Sequence, residues 1–192
     1  MWHAAWGRRS LTARDWLRHP VSMNTAGDRP IGEPGELGGP RGWSGDAGAG
    51  IRTILLASDL SSASANAEDL AFELAGRLQS ALLLVSVIDP RGLWLPTGGY
   101  RQRIDQARDA RQIAAMGIVD RGHRDGVPIR TLIWEGDPAE SIVEAAVAED
   151  VDLIVVGSHQ RRGVDRLVMG SVSEQVVRTS PVPVVVARRT PQ

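Results

Sequence analysis

The residues with chemical potential cluster near the carboxy terminus. Gly157 closes an apolar run, Leu153–Val156, and is followed by a loop holding His159, Arg161, Arg162 and Gly163. Gly170-Ser171 then opens a second segment that carries Val172, Ser173 and Glu174. A buried strand ending in glycine, a loop and a helix start aim backbone N–H groups at anything that carries phosphate. Gly157 lets a ligand approach the turning chain, or is simply a strand-to-loop glycine. Ser171 and Glu174 form an S-x-x-E pattern, which predicts a capping box with Ser171 as the N-cap. Capping alone explains both residues, so a phosphate role for Ser171 stands beside it. Ser173 offers a second hydroxyl, or serves only as a good residue for a first helical turn. Arg161 and Arg162 are solvated loop cations that would also suit a triphosphate.

Other chemistries are excluded by what the chain lacks. It has no cysteine, which removes disulfides, thiolates and cysteine metal sites and fits a reducing cytoplasm. It has no lysine either, so a Walker-type phosphate lysine and Schiff-base catalysis are absent. No H-E-x-x-H, G-x-S-x-G or G-x-G-x-x-G occurs, and His159 has no partners at metal-ligand spacing. Glu135 and Asp137 flank a turn and are explained by helix capping. No catalytic residue is expected, and no metal site. With a net charge of −1 and 42% hydrophobic residues, the chain shows neither a nucleic-acid face nor an acidic tail. No apolar run reaches the roughly 18–20 residues that span a bilayer, and Arg8 and Arg9 precede no apolar secretion segment.

Two regions divide the chain. Residues 1–50 hold ten of the 21 glycines and four of the six tryptophans, with no apolar periodicity beyond a short turn at Leu11–Leu17. Such a stretch buries too little to offset the entropy of ordering, and it reads as a disordered extension. Residues 51–190 alternate regularly. Strands are expected at Ile51–Ala57, Ala81–Ile88, Ile129–Trp134, Asp152–Val156 and Pro183–Ala187. Helices are expected at Ser61–Leu78, Arg101–Gly122, from Asp137 to about Glu149, and at Val172–Arg178. Asp137-Pro138-Ala139-Glu140 supplies an N-cap, a first-turn proline and an early acid. Strands that are apolar along their length belong to a parallel sheet covered on both faces. The order βαβαβαβαβ therefore predicts an α/β, doubly wound sheet of five parallel strands. Periodicity alone leaves the strand order open. Ligands of such sheets sit at the carboxyl ends of the strands, where the order reverses.

Gly157-Ser158-His159, Arg161-Arg162-Gly163, Gly170-Ser171-Val172-Ser173-Glu174 and Pro181-Val182-Pro183-Val184-Val185-Val186 together resemble the carboxy-terminal signature of the universal stress protein family. The resemblance continues upstream through Glu135-Gly136-Asp137-Pro138 and Asp59, over residues 51–190. It implies an adenine-nucleotide α-hydrolase-like fold with strand order 3-2-1-4-5, and ATP, with Mg, as the cofactor. ATP-binding members carry G-x-x-G, nine residues, then G and Ser or Thr. Gly157, Gly170 and Ser171 match, whereas Gln160 replaces the second glycine; Gly163, Arg161 and Arg162 stand near enough to compensate. Asp59 matches an aspartate that contacts the nucleotide, although capping of the first helix explains it equally. Ala57 and Val87 match positions that wall the adenosine. With Val172 and Ser173 in the first helical turn, these residues make up the expected binding set. The function implied is adenine-nucleotide binding in stress response or signalling. Left open are a dimeric interaction module that binds no nucleotide, and a slow ATPase. The last strand, Val182–Ala187, is an edge strand, and the resemblance implies homodimer pairing through it, with Val184 and Val186 central.

Overall fold

The computed structural model describes residues 50–93, 99–158 and 170–188. The extension expected at residues 1–50 lies outside them apart from Gly50, as do His159, Gln160, Arg161, Arg162 and Gly163. Five strands, β1 (Thr53–Ala57), β2 (Ala81–Ile88), β3 (Ile129–Glu135), β4 (Leu153–Gly157) and β5 (Val184–Ala187), form one sheet in the order β3-β2-β1-β4-β5. Every pairing is parallel. The fold is thus the doubly wound, five-stranded parallel sheet expected from the sequence, in the 3-2-1-4-5 order that the family resemblance implies.

Among the described residues, four α-helices cover the sheet: α1 (Ala65–Leu78), α2 (Tyr100–Asp125), α3 (Pro138–Ala148) and α4 (Ser171–Thr179). Side chains alternate across the strands, so each strand feeds two cores. Ile54, Leu56, Leu82, Leu84 and Val155 meet Ala67, Ala71, Phe72 and Ala75 of α1 and Ala115 of α2. On the opposite face, Leu55, Leu83, Val85, Ile154 and Val156 meet Ala139, Ile142, Ala145 and Ala146 of α3 and Val176 of α4. Small residues on α1 and α3 let these helices lie close to the sheet. Each fully buried Leu, Ile or Val contributes about 1.5–3 kcal/mol relative to exposure. Asp152 ties the foot of the two central strands, its Oδ2 accepting from the N–H groups of Arg52 (2.8 Å) and Thr53 (2.9 Å). Among the described residues, no helix is long and apolar enough to cross a membrane.

Two helix boundaries on one face of the sheet differ from expectation. Helix α1 begins at Ala65 rather than Ser61, because the preceding serines are taken up in a turn held by side chains. Helix α2 runs to Asp125, where Gly126 takes a left-handed φ of 68° and stops it.

Candidate functional site

Strand order reverses between β1 and β4, whose neighbours lie on opposite sides. Ala57 pairs with Val156 and Gly157 pairs with Ala187, so Asp59 and Gly157 flank this reversal at the carboxyl edge. The pairing extends one residue further: Ser58 N–H donates to the Val85 carbonyl (3.1 Å) and Ser158 N–H to that of Ala187 (2.9 Å).

The turn after β1 is built by its own side chains. Asp59 Oδ1 accepts from the Ser61 N–H (3.0 Å) and from Ser64 Oγ (2.7 Å). Ser58 Oγ accepts from the Leu60 N–H (2.9 Å) and donates to Glu68 Oε1 of α1 (2.7 Å). Between them Leu60 sits at φ 61°, a left-handed conformation that a β-carbon disfavours. The local capping role considered for Asp59 is therefore realised as an Asx turn.

Helix α4 is capped differently from the sequence pattern. Its N-cap is Gly170, at φ −63° and ψ 150°, and no side chain caps it. The expected capping box with Ser171 as N-cap does not form: the helix begins one residue earlier, and Ser171 is its first residue, exposed. The Gly170 carbonyl accepts instead from Ser173 Oγ and from the Glu174 N–H, both at 2.9 Å. Ser173 is buried, and its hydroxyl is committed to this carbonyl. Ser171, Val172 and Ser173 thus present first-turn N–H groups at the positive end of the helix, with no side-chain cap bonded to them among the described residues.

Gly157 is not required by backbone conformation, since its φ lies outside the left-handed region. Among the described residues, a β-carbon there would meet the Ala67 β-carbon, at 3.6 Å. Ala57 and Val87 belong to the core under α3 and α4, and Val172 packs against that core. Arg161 and Gly163, also expected in the binding set, lie outside the described residues.

Sequence reasoning missed Arg111. From α2 its Nη1 donates to Ser86 Oγ and, at 3.5 Å, to the Asp59 carbonyl. Burial pulls this guanidinium below its ordinary pKa, and the Asp59 carboxylate opposes the shift. A second polar group sits at the ends of β2 and β3. Arg91 bridges Asp89 and Asp137, both at 2.9 Å, and this exposed guanidinium holds the Asp89 carboxyl below its usual range. Asp137 is the N-cap of α3, as expected, accepting from the Ala139 and Glu140 N–H groups. Glu135 does not cap; it accepts from the Tyr100 hydroxyl at 2.7 Å, which pushes the phenol up to about 12. Among the described residues, no group of three or more His, Asp or Glu could hold a metal ion.

Comparison with known proteins agrees with this architecture. The model of the universal stress protein family matches residues 50–188. A universal stress protein of Methanocaldococcus jannaschii is 30% identical over 140 residues, 72% of this chain and 82% of that protein. The solved structure of the universal stress protein UspA from Lactobacillus plantarum superimposes with a TM-score of 0.61 at 27% identity, covering 73% of this chain and 99% of that one. A family protein of Arabidopsis thaliana, solved with AMP bound, has a TM-score of 0.54 at 18% identity, over 72% and 92% of the two chains.

Proposed function

The chain belongs to the universal stress protein family, and on that premise we propose that it binds an adenine nucleotide, acting in stress response or signalling by binding rather than catalysis. One observation carries the reading. The first turn of α4 is capped only by a glycine and offers its N–H groups beside the β4 carboxyl end. A phosphate fits such a helix start in charge and in hydrogen bonding. The AMP found on the structurally similar Arabidopsis protein is consistent with that chemistry. Gly157, Gly170, Ser171 and Val172 would hold the phosphates, with Arg161 and Gly163 from the intervening loop; Ser173 would act through its N–H. Asp59, Ala57 and Val87 would face the nucleoside. ATP would arrive with its own Mg. The absence of cysteine suits work in the cytoplasm.

Calorimetry with ATP and AMP tests the proposal. A bound nucleotide at a hundred times its Kd stabilises the fold by about 2.7 kcal/mol. Gln160→Gly should enlarge the shift by restoring the family's second glycine. If neither wild type nor Gln160→Gly responds to either nucleotide, the protein acts as an interaction module, the reading that Gln160 favours.

A further inference from the structure

The turn that carries Asp59 is held by more contacts than a surface loop needs. Four hydrogen bonds from Ser58, Asp59 and Ser64 fix it, around a Leu60 in left-handed conformation. Gln79 and Asp150 take the same conformation where helices end, a common place for it; Leu60 takes it in a turn beside the strand-order reversal, where the surrounding bonds must over-determine it. Arg111 adds a contact from a helix distant in sequence. It lies 52 residues along the chain, yet its Nη1 reaches the Asp59 carbonyl while anchored on Ser86 Oγ, a fully buried hydroxyl on β2. An arginine fixed on a buried anchor gives up rotamer freedom and part of its hydration. Surface solubility explains neither cost.

We propose that Arg111 is a positioning residue of the nucleotide site, holding the Asp59 turn from α2 so that Asp59 is set for the ligand before it arrives. The inference rests on the nucleotide reading above. Arg111 acts through Asp59 and Ser86 and not by touching the ligand. Burial lowers its pKa while the Asp59 carboxylate supports the charge, in keeping with a cation kept for that partner.

A double-mutant cycle on nucleotide affinity tests it, with wild type, Arg111→Met, Asp59→Asn and the double variant titrated with ATP and AMP. Urea unfolding is measured alongside. Arg111→Met should weaken binding about tenfold in the wild-type background and less than about twofold in Asp59→Asn, a coupling typical of contacting residues. Arg111→Lys, which keeps a donor for Ser86, should recover part of the loss. If Arg111→Met fails to fold, Ser86→Ala removes the anchor instead and should give the same coupling. Equal losses in both backgrounds, or no loss at all, would overturn the proposal while leaving nucleotide binding intact. A wild type that binds neither nucleotide overturns the proposed function, and this inference falls with it.

Discussion

Replacing Gly170 by aspartate should make the free protein more stable and the nucleotide complex weaker. Gly170 sits at φ −63° and ψ 150°, a backbone conformation that aspartate adopts at N-caps without strain. Its side chain would accept from the N–H of Val172 or Ser173, which no side chain caps in the native protein. An Asp cap exceeds a Gly cap by a few tenths of a kcal/mol, and a carboxylate at the positive helix end adds about 0.3–1 kcal/mol. The net gain is about 0.5–1 kcal/mol, or a rise in Tm of roughly 1–4 °C for a chain of this size. The same carboxylate would occupy the donors that a phosphate requires and repel its charge. Two unit charges 4 Å apart interact by about 4 kcal/mol at an effective dielectric of 20. A tenfold loss of affinity needs only about 1.4 kcal/mol, so the loss should exceed tenfold. Gly170→Asn, which caps without charge, should stabilise less and cost less affinity. Urea unfolding and calorimetry, run in parallel, read both effects. An aspartate variant that binds ATP as tightly as wild type would place the phosphates elsewhere. A variant less stable than wild type would refute Gly170 as the N-cap.

The single tyrosine makes one hydrogen bond directly readable. Absorbance titration should find Tyr100 ionising near 12, and Glu135→Gln should return it toward 10. Since the folded value is raised, the stabilisation is complete below about pH 10 and is lost as pH climbs through 12. Removing everything before Ile51 should change stability by less than about 0.5 kcal/mol; a fall of several degrees in Tm would mean that the tryptophan-rich extension packs on the domain. Light scattering at tens of micromolar should give a homodimer near twice the 20.7 kDa chain mass, disrupted by Val184→Lys. Val184 and Val186 also pack against their own core, so the lysine variant must still melt cooperatively for the test to count. A monomeric wild type, or a dimer indifferent to the lysine, would defeat pairing through β5.

How far the sequence could be read depended on whether one energetic term dominated locally. Strands β1, β2 and β4 are apolar along their length because both faces are covered, so burial alone marks them. The Asp137 cap of α3 was equally plain, since Pro138 leaves one residue free to cap. Strand order was not legible from periodicity, because any parallel order buries the same residues; it came from the family resemblance. At α4 two residues compete for one role, and S-x-x-E fits Ser171 as the cap by pattern alone. The helix gains one more residue by starting at Ser171, and Ser173 Oγ bonds the Gly170 carbonyl. What was lost in that misreading is the feature most relevant to function, a helix start that no side chain among the described residues caps. Arg111 was missed for a different reason: α2 is rich in arginine, and no motif marks one among them. Its position did carry a signal. Ile104, Arg111, Ala115, Ile118 and Gly122 recur at spacings of seven, four, three and four, the stripe that α2 turns to the sheet. A cation on that stripe must find a partner at the strand ends, and the partners there are Ser86 and the turn that carries Asp59.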